Sequence, residues 1–380
     1  MQRHGNRVRG NGHIPNKHIS IDHLENRRLL SNTTTELVQE PITIGVPGLK
    51  DITFVATSGR KTTISVAHAT AAITFPGPAA LTLYQGHAFF PAGAVETISS
   101  IVVANAIPGK AVLKEVGAFG TGDFDIPSIV GGDLGQLNMP DVIVTSSLTL
   151  NSVARATLGG VSAATVNFGT NASVVKIGGP LSGTLVVGSL GFLSASSISS
   201  ANITTTAPYS HSKLEIGEID GGTGILNSDI ISSGNIGTVK AGYISGSLIT
   251  AATDASSLFP AVPNSSLSII APAEIKSVRI SSGATDPAYF SNSVISADKV
   301  ISAQLGQITG GGIAAEAIGG ISAMGPSGVL DRFPFHLGPR QLSTAARVQT
   351  ALTNLGIPFS AVPGSPEDTV FYSFSLNLLI

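Results

Sequence analysis

A short phrase recurs along this chain: an aliphatic residue, glycine, any residue, then a second aliphatic. It reads LGQL from Leu134, IGEI from Ile216, IGTV from Ile236 and LGQI from Leu305, with IKSV from Ile275 as a variant lacking the glycine. The two central copies start twenty residues apart, and the interval before them is close to four such units. Twenty residues is therefore the natural repeat, and a fixed period in this range marks a stacked-repeat architecture. The longer later intervals contain TDASSLFPAVPNS after Thr250 and GATDPAYFSN around Pro287, which read as loops inserted between turns.

Within the clearest unit, NIGTVKAGYISGSLI, aliphatic side chains fall at Ile236, Val239, Ile244, Leu248 and Ile249, interrupted by Gly237, Gly242 and Gly246. Strands this short change direction every few residues, and glycine at the corners supplies the positive φ or tight turn required. An antiparallel meander would instead use Asn-Gly or Asp-Gly hairpins. Beyond the N-terminal segment, Asp220-Gly221 is the sole such pair. A single coil has too little apolar surface to offset the entropy of ordering it, so coils must stack and share an interior. The expectation is an all-β chain: a right-handed parallel β-solenoid of about 20-residue coils, with an irregular β N-terminal cap and one short C-terminal helix.

Composition agrees. The chain holds 44 Gly, no Cys, no Trp and only 12% charged residues, against about 25% in an ordinary globular domain. Absence of cysteine removes disulfides, thiolate metal sites and thiol nucleophiles together. With 42% hydrophobic residues, the body has apolar surface to bury and is not read as disordered.

Four regions follow. Residues 1–31 carry six Arg or Lys against two acids and read as a disordered basic leader, so the remainder is mildly acidic under a formal net charge of −2. Residues 42–126, with strand-like runs such as ITFVAT, TTISVA and TISSIVVA, form a cap and first coils. Residues 127–330 supply the repeats. Residues 331–380 close the other end, with STAARVQTALTNLG as an amphipathic helix between an N-cap at Ser343 and a stop at Gly356. No apolar run is long enough for a transmembrane helix.

The leader ends in LENRRLLS. This resembles the LEPR-XLL motif near the N-termini of many planctomycete-type surface and secreted proteins: Leu24, Glu25, Arg27, Leu29 and Leu30 match, and Asn26 replaces the motif's Pro. The match covers eight residues. It implies a surface or secreted destination with the motif as a sorting element.

Candidate chemistry is sparse. Between residues 127 and 330 there are eleven Asp or Glu and seven Lys or Arg. Glu218 and Asp220 lie two apart on a strand and so face one side, near Glu215; they are the best carboxylate cluster for a polysaccharide lyase or hydrolase, and a solvated face is the simpler reading. GTGDFD places Asp123 and Asp125 in a turn where calcium or a sugar could bind. GGTGIL resembles the calcium-binding nonapeptide repeat, but Leu226 stands where that repeat has Asp. No P-loop, G-x-S-x-G elbow or H-E-x-x-H is present. His4, His13, His18 and His23 sit in the leader without fixed geometry, and His68, His87, His211 and His336 are isolated in sequence. Aromatic residues do not interleave with basic ones as a nucleic-acid platform would require.

The expectation is thus an exported, extracellular or cell-surface β-solenoid with a structural or adhesive role, no catalytic activity and no cofactor. Its partners would be glycans, extracellular matrix or further copies of itself, not nucleic acid. The alternative is a carbohydrate-active parallel β-helix enzyme. An ice-binding face of stacked Thr-x-Thr is not evident from the sequence.

Overall fold

In the computed structural model the described residues are 34–38, 41–56, 58–76, 79–91, 95–117, 124–254, 268–281, 289–308, 311–324, 330–331 and 370–373. They form an all-β chain, nearly all of it one continuous sheet whose strands pair in parallel through the body. The leader, with its LEPR-XLL-like residues, and the expected helix at 343–356 lie outside the described residues.

The body is a stack of three-sided coils. Ile216 pairs with Ile236, twenty positions on, and Ile236 with Ile275. On the second side Ile198, Ile225, Ile244 and Phe290 are successive partners. On the third, Val166, Leu185, Ile203, Ile230, Ile249, Ile295 and Ile313 form one unbroken row. Every member of that row is at most 2% exposed. Stacking therefore places at least one apolar side chain per side per coil in a common interior, two on the first side where Ile219, Val239 and Val278 form a second row, and each strand bonds to coils above and below.

Where a partner lies 18 to 20 positions on, the coil is minimal. Larger steps mark insertions: Leu190 pairs with Ile216, Ile236 with Ile275, and Ile244 with Phe290. The stretch after Thr250 leaves and rejoins the coil through a short antiparallel pair, Thr253–Asp254 with Ser268–Ile269. The phrase at Leu305 is not in the ladder of the others, because Ile275 pairs with Val300 instead.

The phrase glycine also serves a purpose other than the expected one. Gly237 is not among the positive-φ residues. A Cβ there would strike the carbonyl oxygen of Gly217 on the preceding coil, so glycine is needed for close approach of stacked backbones. Corner geometry is carried elsewhere, by Asn227 (φ 46°), Gly246 (φ 59°) and Asn292 (φ 44°). Each is followed by a buried serine. The Ser228 Oγ donates to the Leu226 carbonyl (2.7 Å) and accepts the Ala201 N–H (3.1 Å) from the coil before. Ser247 accepts the Ser228 N–H (3.1 Å), and Ser293 accepts the Ser247 N–H (3.0 Å). This stack satisfies backbone donors that the corner would otherwise bury unpaired.

Strands before residue 118 pair mostly antiparallel. Asp51–Val55 pairs with Lys61–Ala67, Lys61–Ala67 with Val112–Gly117, and Thr70–Thr74 with Ser100–Ala104. Ser100–Ala104 and Val112–Gly117 then offer their other edges to the body in parallel. Phe54, Phe75, Phe90 and Phe124 meet edge-on or tilted with centroids 4.7 to 6.5 Å apart, plugging the interior at that end. At the opposite end Val370–Ser373 pairs antiparallel with Gly311–Ile318, covering one side of that coil.

Candidate functional site

The three carboxylates singled out from sequence are separated by the fold. Glu215 is 2% exposed and fully engaged: its Oε2 accepts the Asn235 N–H (2.7 Å) and its Oε1 the Ser210 N–H (3.2 Å). It ties the inserted segment before it to the coil. Glu218 and Asp220 do face one side, as alternation requires. Glu218 pairs with Lys240 on the next coil (2.6 Å), and Asp220 accepts the Gly222 N–H (3.0 Å). Lys240 and Arg279 stack in register above Asp220. Asp125 is exposed on a strand between the buried Phe124 and Ile126, and Asp123 lies outside the described residues. Among the described residues no three His, Cys, Asp or Glu side chains are grouped to hold a metal ion.

A second constellation joins the cap to the body. Glu115 on Val112–Gly117 is 2% exposed, and neither carboxylate oxygen has a hydrogen-bond partner. Burial raises its pKa to about 7, the Asp141 carboxylate adds to the rise, and the Arg60 guanidinium opposes it. Arg60 binds Asp141 at 2.6 Å. Arg60 Nε and Thr62 Oγ1 are likewise buried without partners. Glu115 is thus about half protonated at neutral pH, beside an ion pair. Sequence reading passed over it because AVLKEV is an ordinary alternating strand, and residues 60, 115 and 141 meet only through antiparallel pairing of the cap and stacking of the first full coil.

The third feature is a surface. On the side whose interior row contains Val166 to Ile230, the outward residues are Ser100 and Val102, Ser128 and Val130, Ser147 and Thr149, Thr165 and Asn167, Thr184 and Val186, then Asn202 and Thr204. Parallel strand pairing joins the first two pairs and the last three, and Ser128 bonds Ser147 through their hydroxyls at 3.0 Å. None carries a charge. Charge first appears at Asp229, the next partner of Asn202. Beyond it the outward Thr250 and Ser296 are buried. The sequence hid this side because its members, though 18 or 19 residues apart from Ser128 on, are varied Ser, Thr, Asn and Val that form no recurring phrase.

Compared with known proteins, the chain matches no family model, no curated protein and no solved structure.

Proposed function

We propose that this chain is an exported, non-catalytic β-solenoid that acts as an adhesive or structural element outside the cell, with the uncharged side as its contact surface for neutral glycan or matrix. One observation carries this reading: six successive strands present only Ser, Thr, Asn and Val outward. Stacked strands repeat at about 4.8 Å and alternate residues at about 7 Å, so the side offers a regular grid of hydroxyls, amides and methyls. Such a grid suits an extended, neutral, hydroxyl-rich chain, which meets it without desolvating an ion. The external location rests on the LEPR-XLL-like segment.

The test is co-sedimentation of the full chain with insoluble neutral polysaccharides, compared with Thr165→Lys and Thr184→Lys. The wild type is expected to pellet with the polymer and each variant to remain in solution while melting within a few degrees of it. Equal pelleting of all three removes the assigned surface. Recovery of the native protein only from cytoplasm removes the location.

A second reading, a carbohydrate-active enzyme, draws on Glu218 and Asp220 beside Lys240 and Arg279. Reducing-sugar release that disappears in Glu218→Gln supports it over the first.

A further inference from the structure

The side of the coil that follows the uncharged one differs in charge over the same span. Its outward positions hold Lys114 on the last cap strand, Arg155 on the body, and Lys176, all exposed. Lys114 pairs in register with Asn138, and Lys176 with Ser194. Gln136 lies beside Asn138 on the same strand, two positions away, so amide donors fill the step between cations.

None of Lys114, Arg155 or Lys176 forms a salt bridge among the described residues. Neighbouring acids are committed elsewhere. Asp133, at the corner, accepts hydrogen bonds from Asn151 and Ser152 at 2.6 Å each. Asp141 binds Arg60, and Glu115 points into the interior. Along the body, acids enter this side at Glu218 and Asp220, further along the stack, and on the cap Asp51, two strands from Lys114 through Ser65, is bonded to His87.

We propose that the strip from Lys114 to Lys176 is a docking surface for one acidic polysaccharide chain, of the uronate class, lying along the solenoid axis. Charge complementarity selects the occupant. With a formal net charge of −2, the whole molecule does not attract polyanions indiscriminately, so three unpaired cations within a few coils are a local attraction. Coil spacing of about 4.8 Å sets these cations roughly 5 to 15 Å apart along the axis, a range over which a polymer charged on each sugar can meet several at once. Lysine and arginine stems reach such ligands without reshaping the sheet. A nucleic acid is the poorer fit, since no aromatic platform lines the strip.

The experiment measures binding of the full chain to polygalacturonate, with insoluble neutral cellulose and a single-stranded oligonucleotide as comparison probes, at low and near-physiological salt. Expected is polygalacturonate binding that weakens steeply as salt rises, cellulose binding that salt leaves unchanged, and no binding to the oligonucleotide. The Lys114→Gln, Arg155→Gln, Lys176→Gln triple variant should lose at least tenfold, while Lys299→Gln, several coils away, loses less than twofold. A Lys114→Arg, Lys176→Arg variant should bind as the wild type, since charge is kept. Absence of binding at low salt, equal loss in Lys299→Gln, an unchanged triple variant, or tighter binding to the oligonucleotide would each overturn the proposal. Loss of cellulose pelleting by the Thr184→Lys protein, with polygalacturonate binding intact, separates this strip from the uncharged side.

Discussion

The cap and the body solve the same problem, a dry interior lined by strands, in opposite ways. In the cap, antiparallel strands of unequal length close over four phenylalanines, and one buried acid is accommodated beside an ion pair. In the body, parallel coils stack rows of apolar side chains on each side, and one corner of three successive coils holds a buried serine hydroxyl bonded to its neighbour in the stack. Bulk and a few specific contacts hold the cap. Repetition holds the body, where each coil's loss is shared with its two neighbours. The difference teaches where a single substitution should matter most.

The largest effect should fall on the aromatic plug. Phe54→Ala removes a ring that touches three others and is expected to cost about 3 to 5 kcal/mol. Urea unfolding followed by intrinsic fluorescence and by circular dichroism would show the cap melting ahead of the body. Coincident transitions would mean that cap and coils form one cooperative unit, and the comparison would have to be redrawn.

Next is the buried acid at the junction. Its folded pKa, about 7, exceeds its ordinary value of 4.5. The folded state therefore holds the proton more tightly than the unfolded chain. The stabilisation is complete below about pH 4.5, declines as pH rises, and is gone above about 7. The swing is on the order of 3 kcal/mol. Glu115→Gln keeps the shape and removes the titration, so the wild type should lose stability relative to it between pH 5 and pH 8. Parallel pH profiles of the two proteins would show instead that Glu115 ionises freely.

The smallest of the three concerns one corner. Ser247→Ala leaves the Ser228 N–H without its acceptor in a buried site, at a cost of about 1 to 2 kcal/mol. Amide hydrogen exchange should quicken at Ser228 and in the two adjoining coils while the cap remains protected. Faster exchange throughout would show that the corners couple the entire rod.

Much of this was legible in the residues. Ile216, Ile236 and Ile275 are stacked partners, as the recurring phrase predicts, and Glu218 and Asp220 share a side because strand alternation is a local rule. The role of Gly237 was not legible: its reason is the Gly217 backbone beneath it, which no local rule contains. Nor was the serine stack. Asn227-Ser228, Gly246-Ser247 and Asn292-Ser293 look unrelated until stacking superimposes them, because the first residue differs and an inserted segment lies between the second pair and the third.

By itself the sequence determined that the chain is all-β, that its body winds in parallel coils, and which aliphatics line the interior. Those properties follow from spacing within one coil, where a side chain's direction is set by its immediate neighbours. Only the tertiary structure decided which distant residues become neighbours: that Glu115 lies beside Asp141 and Arg60, that six uncharged strands align on one side, and that Lys114, Arg155 and Lys176 line the next. Inserted segments change the step from one coil to the next, so lateral register is fixed by the interior rows as they pack and not by counting along the chain.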